Sequence, residues 1–182
     1  MYMLAEPLQR EADQIPLELY TNGELDLLAL CKSLGIQVLN VHFKKAHGSG
    51  ALIHEGDSWI IYVNDNDSSQ RKRFTVAHEL GHYFSYKIGL AAKKYIDDHH
   101  GHMQDFAMCE AMDGECRLLE MEANQFASRI LMPENAVNKL YTEGKNVEEM
   151  AKYFGVSECA MTFRLMDLGY TLLEQISHDI TR

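Results

Sequence analysis

With 182 residues the chain fits one ordinary domain with room for a small appended unit, and it can bury a sizeable core without disulfide staples. Its 27 Asp+Glu against 17 Lys+Arg leave a formal net charge of −10, which opposes the broad phosphate neutralisation of a non-specific nucleic-acid binder. The first twenty residues lack a basic start followed by an apolar run, no stretch is long enough to span a bilayer, and Cys31, Cys109, Cys116 and Cys159 are scattered; a soluble cytoplasmic protein with reduced thiols is expected.

In chain order, Pro7 and Pro16 lie in a segment of mixed polarity that suits a short helix or an arm. From Glu24 to Leu34 the apolar residues recur at helical spacing, and Gly35 stands where a C-terminal cap belongs. The period then changes. Ile36 to Phe43 reads as a strand, and Ala51 to His54 with Trp59 to Val63 reads as a hairpin closed near Glu55-Gly56-Asp57. Asp67 followed by Gln70 resembles a capping box and opens a helix expected from about Ser68 to Ile88, with Phe74, Ala77, Leu80, Gly81, Phe84 and Ile88 on its buried side.

Between Gly89 and Cys116 periodicity is weak. His99, His100 and His102 there, with Cys109 and Cys116, match no zinc spacing and are read as a solvated loop. Leu119, Ala123, Phe126, Ala127 and Ile130 mark a further helix that starts near Arg117 and is stopped by Pro133. Val147 to Leu168 predicts two short helices broken at Gly155-Val156-Ser157, in helix-turn-helix proportions. The second carries only Arg164 against Glu158 and Asp167. A DNA-reading helix brings more cationic and amide groups than that, so the pair is read as a packing or partner-docking unit and direct DNA binding is not expected.

Chemistry concentrates in His78-Glu79-Leu80-Gly81-His82, an HExxH motif on the first long helix. Histidines four apart share one helical face, so both imidazoles can reach a single ion. Glu79 follows the first histidine and is placed to take a proton from an attacking water. Gly81 costs about 1 kcal/mol against Ala inside a helix, and close approach of a neighbouring element would compensate. A bare five-residue pattern arises by chance. Its context, a strand and a capped turn before it and a carboxylate-rich helix after it, favours a catalytic metal site with a third protein ligand and an open fourth position.

Arg73-Phe74-Thr75-Val76-Ala77-His78-Glu79-Leu80-Gly81-His82-Tyr83, then Glu120-Met121-Glu122-Ala123-Asn124-Gln125-Phe126-Ala127, then Leu131-Met132-Pro133, resemble the ImmA/IrrE family of gluzincin-type metallopeptidases. Tyr62-Val63-Asn64 and the stretch from Met150 to Ser157 with Arg164-Leu165 extend the likeness to roughly Ala51 to Gly169. The resemblance implies a Zn2+ site of His78, His82 and Glu120, Glu79 as the catalytic carboxylate and Asn124 as a group supporting the ligands. It also implies a protein substrate, a bacterial or phage transcriptional repressor cleaved to release mobile-element or stress genes. The spacing between the two main blocks is longer than is typical.

On a helical wheel Glu120 and Glu122 flank the apolar face at similar angles, so geometry alone does not choose the third ligand. Glu120 shares its side with Asn124, one turn on, whereas Glu122 falls beside Gln125 and Arg129, which suits a solvated face. His42, His54 and Tyr83 are each placed to steady an oxyanion, and the sequence does not choose among them. The expected fold is α+β: a small twisted β-sheet beside the HExxH helix and a third-ligand helix, with residues 1–138 as a zincin-like peptidase domain and 139–182 as a C-terminal helix-turn-helix-like pair. The competing reading is a non-proteolytic zinc-containing regulator that binds a repressor or toxin partner.

Overall fold

A computed structural model describes residues 4–43, 49–89 and 114–170, with the backbone alone at 114–116. Strict alternation builds the main sheet. Along β5 (Ser58–Asn64) Trp59, Ile61 and Val63 are buried and their neighbours are not, the period-2 pattern of a strand with one face on the core. This strand is central. β3 (Ile36–Val41) lies parallel to it, from Ile36 opposite Trp59 to Val41 opposite Asn64. On the other side β4 (Gly50–Glu55) runs antiparallel, joined to β5 by the Gly56-Asp57 turn with Glu55 opposite Ser58. β4 is therefore an edge strand of the three-stranded sheet. The hairpin falls where the sequence placed it.

The N-terminal part differs from expectation. Helix α1 (Glu6–Asp13) has Pro7 in its first turn, where a missing N–H does no harm. Glu24 and Leu25 do not begin a helix. They form β2 (Glu24–Leu25), paired with β1 (Tyr20–Thr21), and α2 (Leu27–Ser33) starts only after Asp26, whose carboxylate accepts the Ala29 N–H at 2.9 Å.

Helix α3 (Ser69–Lys87) carries the HExxH motif. Its cap is Ser68, whose hydroxyl accepts the Arg71 N–H at 3.2 Å, and not Asp67. Helix α4 (Gly114–Leu131) ends before Pro133 as expected, but that proline also opens α5 (Glu134–Thr142), which was missed because Pro133 was read only as a stop. Helices α6 (Val147–Phe154) and α7 (Glu158–Asp167) meet at Gly155, in the left-handed conformation at φ 65°, and Ser157 caps α7. Among the described residues the fold is thus seven α-helices with sheets of two and three strands, the α+β class expected. None of these helices is long and apolar enough to cross a membrane. The His99–His102 loop lies outside the described residues.

One apolar cluster runs through the molecule from Leu8 on α1 to Leu165 on α7. Polar ties reinforce it. The Arg129 guanidinium on α4 donates twice to Asp13 on α1, at 2.9 and 3.0 Å, and the Tyr20 hydroxyl donates to the Ile130 carbonyl at 2.8 Å. Arg164, buried on α7, donates from Nε to the Met132 carbonyl at 3.0 Å, which removes it from any surface role.

Helix α3 packs closely on α4. A Cβ on Gly81 would lie 2.7 Å from the Cα of Ala123, closer than real Cβ atoms come, and 3.1 Å from its carbonyl oxygen. Here is the close approach that a glycine inside a helix called for. Helix propensity alone favours Ala at this position, but the collision is with backbone and cannot be relieved by a rotamer change. Gly81→Ala is accordingly expected to destabilise the protein by about 1–3 kcal/mol, read as a lower midpoint in urea or thermal unfolding; an unchanged or raised midpoint would show that the helices are not held this close.

Candidate metal centre

His78 and His82 project from one face of α3, one turn apart, and Glu120 reaches them from α4 across the Gly81–Ala123 contact. The His82 Nε2 is 3.1 Å from the His78 Nε2. One Glu120 oxygen lies 3.2 Å from each imidazole, Oε2 toward His78 and Oε1 toward His82. Three donors each roughly 2.0–2.1 Å from one tetrahedral ion stand about 3.3 Å apart, so the observed spacing suits a single first-row divalent ion held by two imidazoles and a carboxylate. Among the described residues these three are the group of metal-ligating side chains that converges in this way.

Asn124 sits one turn beyond Glu120, and its Oδ1 is 3.0 Å from the His78 Nδ1. An amide oxygen only accepts, so Nδ1 carries the proton and the Nε2 lone pair is turned toward the other two donors. Glu79, next to His78 on α3, is buried, 4% exposed, and feels the charges of His78, His82 and Glu120. The backbone N–H of Leu52 on β4 donates to its carboxylate. Gly50 completes that wall: a Cβ there would lie 2.2 Å from the Thr75 Cγ2 and 3.2 Å from the Glu79 Oε1. The sequence reading missed Gly50 and the Leu52 amide, since a lone glycine at a strand start and a backbone donor leave no mark in a motif.

These environments set the charges. Burial raises the Glu79 pKa above the usual carboxylate value, and the neighbouring imidazoles and the Leu52 amide only partly offset it. Burial also works against a charged His78, but its hydrogen bond to Glu120 and the charges of Glu79 and Glu120 outweigh this and raise its pKa. For Glu120 burial is likewise the largest single effect, yet hydrogen bonds to His78 and His82 and the charges of both hold it well below the ordinary range.

Glu122 is corrected. It is 5% exposed rather than solvated, because the side of α4 it shares with Gln125 and Arg129 is covered: Gln125 donates to Asp167 on α7 at 3.2 Å and Arg129 binds Asp13 on α1. The three oxyanion candidates have other engagements. His54 stacks on Trp59 with centroids 4.2 Å apart, Tyr83 is buried edge-on against Trp59, and His42 lies 3.2 Å from Asp65.

Fold, motif and converging donors together define a metallopeptidase, a peptide-bond hydrolase. Residues 31–166 match the family model described as the IrrE N-terminal-like domain, three quarters of the chain, and the protein belongs to that peptidase family. It is 26% identical over 163 residues to "Metallopeptidase ImmA" of Bacillus subtilis (strain 168), covering 88% of this chain and 87% of that one. Over 114 residues it is 29% identical to "Radiation response metalloprotease IrrE" of Deinococcus radiodurans, covering 59% of this chain and 31% of the relative. A solved structure, "Mycobacterium tuberculosis transcriptional regulator", shares the fold at a TM-score of 0.58 and 16% identity; the match covers 89% of this chain and about half of that protein, 47%.

The charges give a pH signature for the protein stripped of metal. Because the folded pKa of His78 lies above its ordinary value of about 6.5, its pairing with Glu120 stabilises the fold fully below that pH and is lost as pH rises through the folded value. The thermal midpoint of chelator-treated protein is expected to fall as pH rises above about 6.5, and Glu120→Gln to flatten that fall. A midpoint that rises over this window, or is equally steep in both proteins, would contradict it.

Proposed function

We propose that the protein is a zinc endopeptidase in which His78, His82 and Glu120 hold the metal, Glu79 is the general base and Asn124 orients His78, and that its substrate is a transcriptional repressor in the cytoplasm. The observation that carries the site is the convergence of two imidazoles and one carboxylate at 3.1–3.2 Å, with a second, buried carboxylate beside them. Two nitrogens and one oxygen are the donor set of catalytic zinc with a fourth position left for substrate. Bound there, zinc would polarise the scissile carbonyl and ease ionisation of the attacking water.

The protein's own groups supply the rest. Glu79 takes the proton of the attacking water and passes it to the leaving amine as the C–N bond breaks. Its raised pKa makes that return feasible near neutral pH, and the Leu52 amide fixes which oxygen faces the reaction. The edge of β4 away from β5, which pairs with no strand among the described residues, lies beside Glu79 and suits an extended substrate backbone, which would add as a further strand. The repressor as substrate is supported by the likeness of the three motif blocks to the ImmA/IrrE family. The covered Arg164 supports the reading of α6 and α7 as a packing unit rather than a DNA reader.

The test is incubation of the metal-loaded protein with a helix-turn-helix repressor encoded beside its gene, with and without chelator. Chelator-sensitive cleavage is expected; a stable complex of two intact chains would favour the non-proteolytic regulator instead. Glu79→Gln should keep stoichiometric zinc and lose turnover by about 10²–10⁴-fold, and substantial residual cleavage would remove it from the role of base. Glu120→Ala should lose zinc, while Glu122→Ala should keep it and show only a lower unfolding midpoint, because its carboxylate is buried. The opposite metal contents would move the ligand role to Glu122.

A further inference from the structure

Near the metal cluster lies a cavity of about 510 Å³ between the start of α3, the middle of α4 and the exposed face of α7. Its inner wall includes two residues that touch His78. Phe74, one turn before His78, has its ring centroid 6.4 Å from that imidazole, and Asn124, which holds the His78 Nδ1, is also part of the wall. The outer wall comes from α7, where Cys159, Ala160 and Phe163 face the opening. Phe163 is 61% exposed, a large apolar side chain left at the mouth. The buried bond from Arg164 to Met132 fixes the rotation of α7 that puts it there.

The polar side chains around this cavity are turned to other tasks. Gln125 donates to Asp167, Gln70 to the Val156 carbonyl at 3.3 Å, and Arg71 from Nε to the Ser49 hydroxyl at 3.0 Å. Ser68 and Ser157 cap helices. Arg71 and Asp167 are its charged residues and are opposite in sign, so neither an acid nor a base is favoured as occupant. What remains for contact is the apolar surface of Phe74, Met132, Val156 and Phe163. Ligand pockets have this character and this size, largely apolar walls with few free polar groups.

We propose that this cavity receives a large apolar side chain of the protein substrate next to the scissile bond, and that Phe163 on the helix-turn-helix-shaped pair is a specificity-determining residue of the peptidase. The proposal rests on the catalytic assignment above. It gives the C-terminal pair a place in substrate selection, since α7 supplies the wall that the catalytic helices lack.

Two measurements test it. In the first, zinc-loaded protein is given a pool of synthetic decapeptides randomised at the four central positions, and the cut bonds are read by mass spectrometry. Leu, Met or Phe should be preferred over Asp or Ser at one position flanking the bond by about tenfold or more, Phe163→Ala should erase most of that preference and leave the other positions unchanged, and Phe163→Leu should restore it. An identical preference in Phe163→Ala overturns the proposal. The second measurement needs no turnover. In the Glu79→Gln protein, the rate at which Cys159 reacts with a water-soluble aromatic disulfide is isolated by comparison with Cys159→Ser. Acetyl-Ala-Leu-Ala-amide should slow that reaction and acetyl-Ala-Asp-Ala-amide should not, with protection lost in Phe163→Ala. Absence of protection by the leucine peptide overturns the proposal. Protection without cleavage of any peptide in the pool would sink the peptidase assignment and leave the pocket, whereas cleavage with no effect at Phe163 would sink the pocket alone.

Discussion

The structure depends on how closely α3 and α4 approach. With Gly81 seated on the backbone of Ala123, the two helices pass near enough for a side chain as short as glutamate to span from one to the imidazoles of the other. The three side chains then need no extended reach to converge. The energetic logic runs opposite to local propensity: glycine weakens its own helix, and the contact it permits assembles the site. The buried Ala127, Phe126 and Ile130 continue the same seam along α4, so the apolar core and the donor cluster are products of one packing arrangement.

A second constraint acts where α3 meets the sheet. β4 presses its backbone against Glu79 through Gly50 and the Leu52 amide, and this contact makes a carboxylate both buried and oriented. Its neighbours separate the two acids of the site. Glu120, embraced by two imidazoles, stays ionised, while Glu79, more deeply buried, binds a proton more readily. Two glutamates a helix crossing apart are thereby suited to different work, one to charge and one to proton transfer.

Much of this was legible in the sequence, and for physical reasons. Both α3 and α4 are long helices rich in apolar residues, and β5 alternates cleanly after a glycine turn; such patterns are readable without tertiary context. The HExxH spacing states its own geometry, because four residues are one helical turn. Elements that escaped are those whose stability comes from elsewhere. The two-residue strands at Tyr20 and Glu24 carry no periodicity, and α5 is short. The placement of Glu122 failed because a helical wheel describes one helix against one face, whereas α4 is gripped by α1, α3 and α7 together. Polar residues such as Gln125 and Arg129 look solvent-bound when their partners lie more than forty residues away in sequence.

Asn124 belongs to two places at once. Its amide oxygen holds the proton-bearing side of His78, and the same residue forms part of the cavity wall beside α7. A residue shared in this way makes the two regions thermodynamically linked. Any occupant that draws the Asn124 amide toward or away from His78 changes how firmly that imidazole is held, and linkage is reciprocal: whatever factor the occupant applies to metal affinity, the metal applies to the occupant. Occupancy of the cavity and the hold on His78 are then parts of one equilibrium, and a change made at either is felt at the other.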